Sequence, residues 1–190
     1  MDALTAILGR HTTPPVKMGE PGPDATALHR LLEAAAAAPD HGRLRPLRFL
    51  IVQGEGRAAL GALFAEALAE EMPELPPAEL EKQRGNPTRV PLVLVAVLRL
   101  QPDHPKIPES EQIAAAAAGV QNLLVAAHAL GFASKWATGR PAASPGVRRR
   151  LGLARNERIL GILYIGSERI THRTGGRPAP EEMGQPWPSP

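Results

Sequence analysis

Polar and cationic residues concentrate in three segments that the sequence predicts to be loops. The first is Arg10-His11-Thr12, and the second runs from Pro39 to Pro46 and includes His41. The third is a tail rich in proline and glycine that contains Arg173 and Arg177. Guanidinium groups match the geometry of phosphate, and hydroxyl groups complete the oxygen contacts. These segments therefore favour a site for an anionic ligand.

Helix signals explain how the first two loops are positioned. Asp2 can cap a helix that ends at Gly9, directly before Arg10. Asp24 can cap a second helix, and its alanine run over 34–38 stops at Pro39. We expect irregular backbone from there to a strand over 49–52, and we expect that strand to be buried on both faces.

The remaining apolar runs predict an α+β fold. Strands are indicated over 91–98, 133–138 and 159–165, and the longest helix spans 109–130 and ends at Gly131. Because this helix is apolar nearly all round, we expect it to be buried in the domain centre or, as we favour, in a subunit interface.

Composition excludes several classes of protein. The 190 residues include no cysteine, which excludes disulfides and thiolate chemistry, so any redox chemistry requires a cofactor. The net charge is only +3, and the basic run 148–150 has no aromatic neighbours for base stacking, so we expect no nucleic-acid partner. No leader pattern and no apolar run of about 18 residues are found, which predicts a cytoplasmic protein without a membrane partner.

Common ligand motifs are missing from the sequence. The six histidines are scattered without metal-ligand spacing, so we expect no metal site. Residues 53–56 lack the third glycine of a dinucleotide fingerprint, and no P-loop pattern occurs.

Several short motifs nevertheless resemble one family in their order and spacing. They are Met1-Asp2-Ala3-Leu4 with Arg10-His11-Thr12, Ala38-Pro39-Asp40-His41 with Pro46 and Arg48-Phe49, Lys106-Ile107-Pro108, Gly131-Phe132 with Trp136-Ala137-Thr138-Gly139, and Leu163-Tyr164-Ile165-Gly166. The chain resembles the nitroreductase-like flavoproteins, most closely their short YdjA-like branch, along nearly its whole length.

The resemblance implies a homodimer with FMN in the subunit interface. It implies hydride transfer from NADH or NADPH to nitro compounds, quinones or related small acceptors. The implied fold is a single domain over 1–190, with a central mixed or antiparallel sheet flanked by helices and a long buried interface helix. Residues 166–190 are expected to form an extended tail that is swapped between subunits.

The same resemblance assigns cofactor contacts and no catalytic side chain, since the flavin carries the chemistry. The residues carried over are Arg10, His11, Thr12, Ala37, His41, Trp136, Ala137, Thr138, Arg173 and Arg177. His41 is expected to reach the flavin from the other subunit, and the two tail arginines are expected to hold its phosphate. The stretch 126–131 matches a segment for the nicotinamide cofactor.

Three positions depart from the branch: His11, Ala37 and Ala137 stand where it has arginine. Flavin binding is then weaker or the flavin potential lower, or cations at Arg43, Arg45 and Arg140 substitute. His11 would also make binding depend on pH.

Structural interpretations and other functions remain open. Alternative explanations are a helix-end charge for Arg10 and solvated charges for the tail arginines. For His41 the alternative is an ion pair with Asp40, and for Trp136 it is core packing. At the level of function, the alternatives are a dimeric FMN-binding protein with little or no turnover and an oxygen-using flavin enzyme of the same fold.

Overall fold

A five-stranded antiparallel sheet forms the centre of the computed structural model, which describes residues 1–171 and 176–187. Its strands are β1 (Met18–Gly19), β2 (Leu47–Val52), β3 (Leu92–Arg99), β4 (Ala133–Ala137) and β5 (Glu157–Glu168). The strand order is β1-β5-β3-β2, and β4 pairs with residues 162–166 of β5. The predicted α+β class is confirmed, in its antiparallel form.

Seven α-helices accompany the sheet in the described chain. They are α1 (Ala3–Gly9), α2 (Ala25–Ala36), α3 (Gly56–Glu71), α4 (Pro77–Gly85), α5 (Glu109–Ala129), α6 (Arg140–Ala143) and α7 (Pro145–Arg150). The predicted caps are confirmed, because Asp2 accepts from Thr5 N at 3.1 Å and Asp24 from Ala27 N at 2.7 Å. Gly131 follows α5 with φ +87°, a conformation that glycine adopts without strain.

Helices cover both faces of the sheet, as the side chains of β3 demonstrate. Val93, Val95 and Val97 pack against α3 and α7, whereas Leu92, Leu94 and Ala96 pack against α2 and α5. All six are fully buried. Because successive side chains of a strand point to opposite faces, a strand covered on both sides reads as a continuous apolar run.

The expected burial of the first predicted strand was wrong. It forms β2, which lies at the edge of the sheet, and Ile51 is 47% exposed. An edge strand pairs with only one neighbour, so its apolar composition does not guarantee that it is covered.

Two helices leave apolar side chains uncovered. Leu4, Ile7 and Leu8 on α1 are 69%, 45% and 68% exposed, and Ile113 on α5 is 37% exposed. The buried residues of α5 face α2 and the sheet. In the described chain this helix is therefore buried on one face, and not on most sides as predicted.

The tail over 176–187 is exposed throughout. Its exchange between subunits and the single-domain boundary over 1–190 stay predictions. Across the described residues, no helix combines the length and the apolar character that crossing a membrane requires.

Candidate functional site

The segment after α1 sends alternate side chains to opposite sides. Arg10 and Thr12 line one pocket, whereas His11 and Thr13 line another. The alternation follows from extended backbone, which begins at Arg10 with φ −58° and ψ 128°. Thr13 N donates to the Ser134 carbonyl at 3.0 Å, which fixes this segment beside the start of β4.

The first of these pockets, called here the Arg10 pocket, brings together four of the predicted site residues. It is lined by Arg10, Thr12, Gln121, Leu124, Ser134, Trp136 and Thr138. Gln121 and Leu124 come from α5 and were not predicted. The sequence does contain an indication for Gln121, because a polar residue in the middle of an apolar helix often lines a site.

The side chain of Trp136 is anchored to the neighbouring strand β5, whereas its backbone groups face the outer edge of β4. Its indole Nε1 donates to the Leu160 carbonyl at 3.2 Å, and a Cβ on Gly161 would lie only 2.0 Å from that nitrogen. The Ser134 carbonyl faces the outer edge of β4, where it bonds Thr13. Along a strand, alternate residues direct both backbone groups to the same edge, so Trp136 N–H and C=O face this edge as well. No described segment pairs with them there.

Arg10 is the guanidinium that lines the pocket, and the charge of a second one, Arg177, acts on it. Arg10 is half-buried, and its side chain has no acceptor among the described residues. Burial and, secondly, the charge of Arg177 lower the pKa of Arg10. Arg177 itself donates to the carbonyls of Ile7 at 3.3 Å and Arg10 at 2.5 Å. The role of helix-end cation considered for Arg10 thus belongs to Arg177.

His11 belongs to a separate cluster. Its Nε2 lies 3.2 Å from Glu168 Oε1, which also accepts from Thr13 Oγ1 at 3.2 Å. The rings of His11 and His128 are 6.1 Å apart, and burial, followed by the charges of His11 and Arg10, lowers the pKa of His128. In the described chain, His11 therefore faces away from the Arg10 pocket, and its contact with a flavin stays a prediction.

A second pocket, called here the Lys82 pocket, adjoins the first across the edge of β4. Trp136 and Thr138 line both pockets, and Ala137 lines the second only. Lys82 reaches it from α4 and Arg140 from α6. The two pockets therefore meet at Trp136 and Thr138, at the end of β4.

The loop between α2 and β2 has an unusual backbone. Arg43 and Arg45 have φ of +54° and +53°, which non-glycine residues rarely adopt. The Asp40 carboxylate accepts from Leu44 N at 3.2 Å and Arg45 N at 2.8 Å, which stabilises this turn. His41 Nδ1 lies 2.6 Å from Glu111 Oε2, so its ion pair is with α5 and not with Asp40.

Neither Ala37 nor His41 lines the Arg10 pocket in the described chain. Ala37 is exposed at the end of α2, and His41 contacts α5 at Glu111, ten residues before Gln121. At 1.5 Å per residue this corresponds to about 15 Å along the helix. Arg173 lies outside the described residues.

Comparisons with known proteins identify the fold and the family of the chain. Residues 18–167 match the family model described as the Nitroreductase family. Escherichia coli (strain K12) has a relative named "Putative NAD(P)H nitroreductase YdjA", which is 32% identical over 175 residues, 92% of each chain. The structure of a nitroreductase-like family protein from Bacillus cereus has a TM-score of 0.82 at 22% identity and covers 100% of this chain and 97% of that one.

A structure from Desulfovibrio desulfuricans, determined in complex with FMN, gives a TM-score of 0.75 at 21% identity and covers 99% of both chains. The predicted fold family is thereby confirmed. From the family match and from the identity to YdjA, the chain belongs to the nitroreductase family.

Proposed function

We propose that the protein is an FMN-dependent NAD(P)H oxidoreductase that works as a homodimer and reduces nitro compounds, quinones or related small acceptors. The observation that carries this proposal is the Arg10 pocket, in which a guanidinium without a described acceptor faces two threonine hydroxyls and an unpaired strand edge. The FMN complex of the Desulfovibrio structure and the name of the YdjA relative support it.

Residues of the two pockets fit the two ends of FMN. Arg10 and Arg177 offer two positive charges to a phosphate, and an anion there would counteract burial and the charge of Arg177, which lower the pKa of Arg10. From Ser134 to Thr138 the strand extends about 13 Å, which allows room for a ribityl chain and part of a ring system. Beyond it, the Lys82 pocket offers polar groups to a polar ring edge.

Each element has a role in this proposal. Arg10, assisted by Arg177, binds the phosphate, and the Thr12 and Thr138 hydroxyls contact the cofactor. The outward N–H and C=O of Trp136 orient the ring by hydrogen bonds, while its indole stays anchored to β5. The chemistry supplied by bound FMN is hydride transfer between NADH or NADPH and the acceptor, so no side chain needs to act as a general base.

A second subunit would complete the site. His41 contacts α5 about 15 Å along the helix from the Arg10 pocket, so it reaches a cofactor there only if it comes from a partner; Ala37 is assigned to the cofactor by resemblance. The exposed apolar side chains of α1 offer a surface for that partner, since patches of this kind mark interaction sites. His11, Ala137 and Arg173 remain assigned to the cofactor by resemblance alone, and a cytoplasmic location stays a prediction.

An absorption spectrum tests the proposal directly. The purified protein is mixed with FMN, desalted and recorded before and after anaerobic addition of NADH or NADPH. Retained flavin whose visible band bleaches, and recovers when a nitroaromatic or a quinone is added, supports the oxidoreductase. A protein that retains no FMN contradicts the proposal.

The second candidate is a dimeric FMN-binding protein with little turnover. Ala37 and Ala137 favour it, because each replaces an arginine of the branch. Retained flavin that neither NADH nor NADPH reduces would support this candidate over the oxidoreductase.

A further inference from the structure

A small cavity beside the start of α3 is lined by arginines that the proposed function does not use. Arg57 lines it from α3, Arg89 from the short 3-10 helix Pro87–Arg89, and Arg169 from the position after β5. Among the described residues, Glu20 is the one carboxylate of its wall. This cavity, called here the Arg57 pocket, shares no lining residue with the Arg10 pocket or the Lys82 pocket in the described chain. It therefore has an excess of positive charge that FMN binding does not explain.

Arg57 is held in this pocket by carbonyl groups and not by a carboxylate. Its Nε donates to the Gly54 carbonyl at 3.0 Å, and its Nη1 donates to the Val90 carbonyl at 2.6 Å. Glu20 Oε1 lies 3.9 Å from Arg57 Nη1, which is beyond hydrogen-bond distance. The side chain of Arg57 is 23% exposed, whereas that of Glu20 is 63% exposed. The charge of Arg57 is thus fixed in position and only weakly neutralised.

Arg169 is placed at the same pocket by a glycine. A Cβ on Gly19 would lie 1.9 Å from Arg169 Nε and 2.4 Å from its Cζ, so the guanidinium packs directly against the backbone of β1. Gly19 itself lines the pocket. The side chains of Arg89 and Arg169 have no acceptor within the part of the chain that the structure describes. Their hydrogen-bond donors are therefore available to a ligand.

We propose that the Arg57 pocket is a second anion site, which binds a phosphate group. Guanidinium groups match the geometry of phosphate oxygens and form charge-assisted hydrogen bonds with them. Arginines from three separate segments approach a ligand from several directions, which suits the tetrahedral oxygens of phosphate better than the two coplanar oxygens of a carboxylate. This inference does not rest on the proposed function, because the pocket is separate from the proposed FMN contacts.

The size of the pocket limits the ligand to a small one. Its volume is about 220 Å³, below the roughly 300–1,000 Å³ of sites for drug-sized ligands. The ligand is therefore either inorganic phosphate or the phosphate end of an ester whose remaining part lies in solvent. Both sources share the chemistry that the arginines recognise.

Calorimetric titration with inorganic phosphate tests the proposal. The protein is saturated with FMN beforehand, so that phosphate cannot occupy the proposed cofactor site at Arg10. The buffer contains no other oxyanion, and sodium chloride keeps the ionic strength constant, because screening alone changes the binding of ions. The expected result is saturable binding of one phosphate per chain and a Tm that rises with phosphate concentration. If the protein retains no FMN, the proposed function fails, and the Arg10→Gln protein without FMN is titrated instead.

Charge variants locate the site. Arg89→Gln and Arg169→Gln should each raise the dissociation constant for phosphate about threefold, and the double variant about tenfold, as is typical of exposed charge pairs. Glu20→Gln removes a competing carboxylate and should lower the dissociation constant about twofold. Arg155→Gln, an exposed arginine in the turn before β5 and outside the pocket, is the matched control and should bind phosphate like the unmodified protein.

A variant without a change in charge separates the position of Arg169 from the net charge. Gly19→Ala keeps every charge, but its Cβ would displace the guanidinium of Arg169. It should weaken phosphate binding about as much as Arg169→Gln, and the two changes together should be no worse than either alone, because they act through one contact. Gly184→Ala, where an added Cβ meets nothing within 4 Å, is the control. An effect of Gly19→Ala that adds fully to that of Arg169→Gln would contradict the placement.

The remaining outcomes decide the proposal and identify the source of the phosphate. Titration without saturation in the millimolar range would overturn it, and so would a dissociation constant that none of the pocket variants changes. Adenosine 5′-monophosphate is titrated in parallel. Binding no tighter than that of inorganic phosphate supports a site for the free ion, whereas tighter binding that Arg169→Gln weakens supports a site for a phosphate ester.

Discussion

Arg10 is the residue on which the proposed cofactor site depends most directly. Its guanidinium is half-buried beside Arg177 and has no acceptor among the described residues. The neighbouring His11 faces the opposite side, toward Glu168. Within three consecutive residues the chain therefore separates a pocket cation from a structural ion pair, and substitutions at the two positions should have different consequences.

Replacement of Arg10 is expected to weaken FMN binding. Arg10→Gln removes a charged hydrogen-bond donor to phosphate, which contributes about 1.5–3 kcal/mol, so the dissociation constant should rise roughly 10- to 100-fold. Titration of FMN fluorescence measures the change. The matched variant Arg155→Gln should bind like the unmodified protein, and an Arg10→Gln protein with unchanged affinity would refute the assignment.

Glu157 illustrates a residue whose role is stability. It accepts two hydrogen bonds from Arg48, from Nε at 2.6 Å and Nη2 at 2.8 Å, and this pairing lowers its pKa from 4.5 to about 2. Because the folded pKa lies below the unfolded one, the carboxylate contributes fully above about pH 4.5. The contribution is lost as the pH falls toward 2, and it amounts to at most about 3 kcal/mol.

Urea unfolding at pH 7 and pH 3 tests this role. Glu157→Gln should cost about 2–4 kcal/mol at pH 7, because Arg48 loses its partner, and the variant should lose less stability than the unmodified protein between the two pH values. Glu81→Gln is the matched control: Glu81 forms an exposed pair with Arg84, so its loss should cost under about 1 kcal/mol. Equal costs for both variants would contradict the interpretation.

At the scale of elements, the pairing of β4 with β5 determines the geometry of the site. Trp136 packs across Gly161 of β5, and its indole bonds the Leu160 carbonyl. A side chain at 161 would occupy the position of the indole, so the glycine is needed for a close approach and not for an unusual φ. The indole thus packs against β5, and the outer edge of β4 is open for a ligand.

Gly161→Ala is therefore expected to displace Trp136. A Cβ at 161 would lie 2.0 Å from the indole Nε1 and 2.4 Å from Cδ1, and overpacking of this kind costs about 1–3 kcal/mol. Urea unfolding and acrylamide quenching measure the effect. Trp187 is 90% exposed, so acrylamide quenches its fluorescence already in the unmodified protein. An increase in the quenched fraction therefore reports exposure of Trp136. Gly184→Ala, where a Cβ meets nothing within 4 Å, should change neither quantity.

At the scale of the whole molecule, the exposed apolar surface requires an explanation. Leu4, Ile7 and Leu8 project from α1, and α1 packs on the same side of the sheet as α5. The predicted residue His41 lies about 15 Å along α5 from the Arg10 pocket in one chain. Both observations support the proposed homodimer, in which each site combines residues of two subunits.

Charge introduced into this surface tests the dimer. Leu4→Glu/Leu8→Glu should convert a dimer into a monomer in sedimentation velocity at micromolar concentration and should reduce FMN retention. Ala59→Glu, an exposed position on α3 across the sheet, is the control and should stay dimeric. An unmodified protein that sediments as a monomer would contradict the proposal.

Local features of the molecule could be predicted from the sequence. The caps at Asp2 and Asp24, the end of α5 at Gly131 and the continuous burial of β3 all depend on residues within a few positions of each other, or on a repeat of two. The order and spacing of the motifs also indicated the nitroreductase family, because cofactor-binding segments recur at characteristic spacings.

Only the tertiary structure decided the rest, since those features join distant parts of the chain. The exposure of β2 depends on its edge position in the strand order, and the direction of His11 depends on how the segment after α1 docks on β4. Arg177 caps a helix that lies some 170 residues earlier, and Lys82 meets the wall formed by Ala137 through the packing of α4. The sequence determined the elements and the family, whereas long-range packing determined which side chains share a pocket.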